Sequence, residues 1–128
     1  GGFFSEKYLN VDEPTRADLT TASLQKYKNM IDIWGGWQLF QELLEVLNTI
    51  AKKHNCSIAN IATRFILDKP QVAGVIIGAR LGISDHIEDN SKVFNLKLDQ
   101  DDISLISTIT SKSNDLFDTI GDCGDEYR

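Results

Sequence analysis

Apolar positions recur through most of the chain at the spacing of one face of a helix. Leu24, Tyr27, Met30, Ile31 and Trp34 fall three and four apart within Ala22 to Trp34, and Gly35-Gly36 breaks the run, so a first helix is expected to stop there. From Trp37 onward Leu39, Phe40, Leu43, Leu44, Val46, Leu47, Ile50 and Ala51 return to one face, while Gln41, Glu42, Glu45, Asn48, Lys52 and Lys53 cover the other. His54-Asn55 closes this second helix, and Ser57 caps a third through Ile58, Ile61, Ala62, Phe65, Ile66 and Leu67, which ends before Pro70. The pattern then changes. Val72 to Ile77 is continuously apolar with no polar alternation, the signature of a strand covered on both faces, as in a parallel α/β sheet. Beyond it, Ser84 is expected to cap a helix carrying Ile87, Val93 and Phe94. Leu96 to Asp102 reads as a turn with an acidic, solvated helix start, continued by Ile103, Leu105, Ile106 and Ile109. Residues 10 to 22, with Pro14 and several Asp and Thr, read as a long loop, and the polar segment from Ser111 reads as a loosely held tail.

The run Val75-Ile76-Ile77-Gly78-Ala79-Arg80, followed by Ser84-Asp85-His86-Ile87-Glu88-Asp89-Asn90, combines a buried strand, a glycine, an arginine and a capped helix. Those are the parts of an anion-binding strand–loop–helix unit, and they point to a nucleotide cofactor. A strand buried on both faces needs neighbouring strands to complete its backbone hydrogen bonds, and no second strand pattern accompanies it. The chain also opens on Gly1-Gly2-Phe3-Phe4-Ser5-Glu6-Lys7-Tyr8-Leu9, without an initiator methionine and within what reads as a working loop, so a fragment is expected.

Composition limits the possibilities. The 128 residues allow one domain, and 41% hydrophobic with 25% charged residues are ordinary for a globular protein. A net charge of −6 and a pI near 4.8 exclude a broad surface for nucleic acid or anionic membrane, so any phosphate contact is local. Cys56 and Cys123 suit neither a disulfide framework nor a metal site, and reduced thiols are the plainer reading. With no apolar run long enough to span a bilayer and no signal-peptide pattern, a cytoplasmic location is expected.

Three segments in order, Gly1 to Tyr8, Arg64-Phe65-Ile66-Leu67-Asp68-Lys69-Pro70, and Val75 to Arg80 with His86 to Asn90, resemble the C-terminal part of an aldo-keto reductase. The resemblance implies an α/β fold, the C-terminal portion of a (β/α)8 TIM barrel, mostly helical here with the last barrel strand near residues 72–77. Residues 1–110 would belong to the barrel and 111–128 would form a tail. It also implies an NADP cofactor and a small-molecule carbonyl substrate, reduced by hydride transfer to an alcohol. In that family the loop after the seventh strand runs along the cofactor pyrophosphate and carries a G-x-L-x-G-K-Y pattern, which places Gly1 and Gly2 near the phosphates and matches Lys7 to the pattern's lysine, with Glu6 where glycine is usual. The end of the eighth strand and the next helix hold the adenosine 2′-phosphate and adenine, which assigns Gly78, Ala79, Arg80, His86, Asp89 and Asn90 to cofactor binding. Asp89 stands where glutamate is usual, and His86 where glutamine or arginine is.

Each assignment has a plainer competitor. A lone Arg80 would read as loop solvation, but the glycine before it and the helix after it reverse that preference. Asp89 and Asn90 also suit an ordinary helix surface, and His86 a first-turn surface histidine. His54 reads as a cation at a helix C-terminus. Trp34 and Trp37 suit either a substrate mouth or core packing. Gly121 to Glu126 has no EF-hand spacing and reads as an acidic tail, so no metal site is assigned. Tyr8, Tyr27 and Tyr127 stand in no matching motif; the family's catalytic tetrad comes from earlier strands, and no catalytic residue is assigned. The competing function is a non-catalytic relative, such as a channel-associated β-subunit, that senses the nucleotide.

Overall fold

The structure is a computed structural model and describes residues 2–79 and 85–121. Six α-helices are present among the described residues: α1 (Ala22–Trp34), α2 (Gly36–His54), α3 (Ile58–Leu67), α4 (Ile87–Ser91), α5 (Gln100–Thr110) and α6 (Leu116–Ile120). Short 3-10 turns add Glu6–Tyr8 and Lys92–Asn95.

Helix α2 is the organising element, with α1, α3 and α5 packed around it. Its apolar stripe places Phe40, Leu44, Leu47 and Ile50 in the core, where they meet Ile58 and Ile61 of α3 and Ile106 of α5. Burying an aliphatic or aromatic side chain of this kind contributes roughly 1.5–3 kcal/mol, so these few residues hold the bundle together. The helix ends follow the local sequence. The Thr21 hydroxyl accepts from the Leu24 N–H at the start of α1. Gly36, at φ 84°, takes a backbone conformation that disfavours other residues, which lets α2 start directly after α1. Asn55 closes α2 in the left-handed region at φ 52°, a conformation asparagine tolerates.

The N-terminal segment is laced onto α2. Gln41 is buried and bridges two backbone groups, donating to the Tyr8 carbonyl at 2.8 Å and accepting from the Asn10 N–H at 2.8 Å. Trp37 donates from its indole to the Val11 carbonyl at 3.1 Å. Lys28 is buried between Glu13 and Asp32, each at 2.6 Å, which ties the loop before α1 to that helix. Burial alone would lower the Lys28 pKa, but bonds from Asp32 and Glu13 outweigh it and raise it.

Four expectations change. Residues 72–79 form no strand, and the described residues contain none. Val75, Ile76 and Ile77 are 38%, 102% and 44% exposed instead of covered on two faces. The physical reason is pairing: a strand's N–H and C=O groups are satisfied by neighbouring strands, and none is described beside this one. The helix expected after Ser84 begins at Ile87 with His86 in the capping position; Ser84 itself lies outside the described residues. The acidic start of α5 is not all solvated. Asp102 is buried and completes a capping box with Asp99, in which each side chain accepts the other's backbone N–H. Finally, the described part of the tail is docked: Asn114 donates from its backbone to the Trp34 carbonyl and from its side chain to the Ile33 carbonyl, both at 2.8 Å.

Candidate functional site

The two segments expected to hold a cofactor meet at the first turn of α3. The first segment is fixed by aromatic packing. Phe3 is buried, with its ring centroid 4.6 Å from Tyr8, 6.1 Å from Trp37 and 6.2 Å from Phe40. Gly2 precedes it at φ 85°, and its carbonyl accepts from the Ser5 hydroxyl at 2.9 Å, so the backbone reverses sharply there. Lys7 is exposed on the 3-10 turn, with its ammonium 5.1 Å from the Tyr8 ring centroid. Glu6 turns away from it. Its carboxylate accepts from the Ile58 N–H at 2.8 Å, an amide that α3 itself leaves unsatisfied.

The second segment reaches the same turn through Asp89. Its carboxylate accepts from the Ser57 hydroxyl at 2.8 Å, from the Asn60 amide at 3.4 Å and from the Lys92 ammonium at 3.0 Å. Asn60 also donates to the Asp89 carbonyl at 3.0 Å. Burial alone would raise the Asp89 pKa, but the bonds from Ser57, Lys92 and Asn60 outweigh it and hold the carboxyl below its ordinary value. Further along, Arg64 of α3 donates to the Val93 carbonyl at 3.4 Å and pairs with Asp68. Cys56, half-buried at this junction, has its thiol pKa raised, first by burial and then by the Asp89 and Glu6 charges, with Lys92 opposing.

The expected site residues therefore separate. Gly2 and Lys7 lie on the loop that Glu6 ties to α3, and Asp89 lies on the helix tied to the same turn. Asn90 follows it, half-buried, its N–H donating to the His86 carbonyl at 2.7 Å, with His86 exposed at the helix cap. Gly78 and Ala79 are exposed in the irregular stretch after α3, and a Cβ placed on Gly78 would meet nothing within 4 Å. Gly1 and Arg80 lie outside the described residues. The two tryptophans also separate: Trp37 is buried in the core, whereas half-buried Trp34 lines an apolar cleft of about 620 Å³ shared with Phe4, Tyr27, Phe65 and Val75.

Sequence reasoning missed Ser57, Asn60 and Glu6 as the groups that join the two segments. The available signal was Asn60 itself, an amide set between Ile58 and Ile61 on the apolar face of α3 and 1% exposed. It also missed a second polar cluster, where buried Asp102 accepts from Lys53 at 2.8 Å and lies 2.7 Å from the His54 ring nitrogen. Burial alone would raise the Asp102 pKa, but the bonds from Lys53, His54 and the Asp99 backbone outweigh it and lower it. This cluster joins the end of α2 to the start of α5. Among the described residues, no helix is long and apolar enough to cross a membrane.

The family model for the aldo/keto reductase family matches residues 1–111. No curated protein and no solved structure matches the chain. The chain belongs to the aldo/keto reductase family, a family of oxidoreductases whose members generally bind NAD(P)H and whose fold is the TIM barrel.

Proposed function

We propose that this aldo/keto reductase family chain is the cofactor-anchoring part of an NADP(H)-dependent enzyme that reduces aldehydes or ketones to alcohols. Residues 1–110 would be the C-terminal part of the barrel domain and residues 111–128 a tail. The observation that carries the reading is the meeting of the Gly2–Tyr8 loop and the His86–Asn90 segment at the first turn of α3, made through Glu6 and Asp89. Segments distant in sequence share one support, as adjoining contacts to the pyrophosphate and to the adenosine side of one nucleotide require.

The side chains present suit such a group in part. Lys7 is exposed and offers a point charge to a pyrophosphate. The open space around Gly78 admits a phosphate against the backbone, and Arg80 offers a fork of donors to the 2′-phosphate. Asn90 both donates and accepts, as an adenine edge demands. Asp89 suits it less, because its carboxylate oxygens are engaged by Ser57, Asn60 and Lys92; its role is to hold the adenosine-side helix. NADP(H) supplies the hydride when bound. We assign no catalytic acid to these residues.

Titration of the protein with NADPH and NADH, followed by fluorescence, tests the reading. NADPH should bind more tightly, and Arg80→Ala should erase about a tenfold or larger preference, the worth of a charged hydrogen bond or two. Equal binding of the two cofactors, or indifference to Arg80→Ala, would overturn the 2′-phosphate assignment.

A further inference from the structure

We propose that Asn60 is a positioning residue that clasps the 86–95 segment to the first turn of α3, the turn that also holds Glu6, and so sets adenosine-side affinity, an inference that rests on the nucleotide site proposed above. Asn60 is 1% exposed and fully committed: its side-chain oxygen accepts from the Ser57 N–H at 3.4 Å, and its side-chain amide donates to both the carbonyl and the carboxylate of Asp89. Its own backbone N–H donates to the Ser57 hydroxyl at 3.2 Å, and that hydroxyl donates onward to Asp89. The next amide to be satisfied in the turn, that of Ile58, belongs to Glu6. One helical turn thus holds both segments.

The need for such a clasp follows from length. Helix α4 has five residues, far short of what an isolated helix needs to persist in water, so its orientation is decided by what it docks on. The docking groups come from α3 and its cap: Ser57 and Asn60 at Asp89, and Arg64 at Val93. Asn60 is the buried member of the three. Alanine there would strand the Ser57 N–H and remove the two bonds that the Asn60 amide makes to Asp89, leaving those from Ser57 and Lys92, whereas aspartate would keep the bond to Ser57 and set two carboxylates against each other.

The test compares the two halves of the nucleotide. In Asn60→Ala and Asn60→Asp, 2′,5′-ADP should bind about tenfold or more weakly, while reduced nicotinamide mononucleotide binds unchanged, both read by calorimetry. Without nucleotide, the same variants should lose amide-exchange protection across residues 86–95. Equal weakening of both halves, or no weakening, overturns the positioning role, because general destabilisation does not discriminate between them. Failure of the wild-type protein to bind either half sinks the nucleotide reading separately. The clasp then stands or falls on exchange alone, with retained protection in the variants overturning it. Should Asn60→Ala fail to fold, Ser57→Ala removes one donor from Asp89 and is read in the same two ways.

Discussion

Helix α2 and the stretch 72–79 are both apolar runs, and they meet opposite fates. Phe40, Leu44, Leu47 and Ile50 of α2 are 2% exposed or less, whereas Ile76 is fully open. The difference lies in the backbone. A helix closes its own N–H and C=O groups, so α2 forms from local sequence and needs only a surface to cover its stripe. An extended run leaves those groups for another strand, and side-chain hydrophobicity alone does not fold it away from water.

Truncation should show the contrast most strongly. Leu44→Ala is expected to cost about 2–5 kcal/mol in urea unfolding, through lost burial and the cavity left behind. Ile76→Ala should stay within about 0.5 kcal/mol, as substitutions at exposed sites do. A large loss at Ile76 would break the comparison by showing that 72–79 is packed.

A second substitution tests whether polar contacts also favour the helical body. Asp102→Asn should destabilise the protein by about 2 kcal/mol at neutral pH, because it weakens charge-assisted bonds to a buried group. The Asp102 carboxyl is held below its ordinary value in the folded protein. Its contribution is therefore complete above the unfolded pKa, about 3.9, and is lost as pH falls through the lower folded value. The gap between wild type and variant should close on that acid limb. A pH-independent gap would remove Asp102 from the account.

The smallest effect is expected at the tail. Asn114→Ala should cost about 1 kcal/mol by removing one side-chain hydrogen bond to α1. No change in the urea midpoint would return the segment after Ser111 to the loose tail that its composition suggests.

The helical body was legible because its signals are local. Gly35-Gly36 ends α1, His54-Asn55 ends α2, and Ser57 opens α3, each within a few residues of the stripe it bounds. The start of the helix near residue 86 was misplaced because Ser84 offered a cap by composition, while docking on Asn60 and Ser57 sets where α4 lies. The candidate site was legible as two separate segments. Their junction was not, since Glu6 and Ile58 are 52 residues apart and no local pattern joins them. Asp89 shows the same limit: the family resemblance assigned it to cofactor binding, and no local pattern announced its bonds to Ser57, Asn60 and Lys92.

By itself, the sequence determined the helices from Ala22 to Leu67 and from Gln100 to Thr110, though not α6 in the tail, that the chain carries the aldo/keto reductase pattern, and which residues are candidates for a nucleotide. Hydrogen bonds within four residues and apolar spacing suffice for the helices. Only the tertiary structure decided that Glu6 and Asp89 share the first turn of α3, that Asp102 is buried against Lys53 and His54, and that Val75 to Ile77 lie open. Those outcomes depend on which distant groups come within about 3 Å, the range over which a hydrogen bond acts.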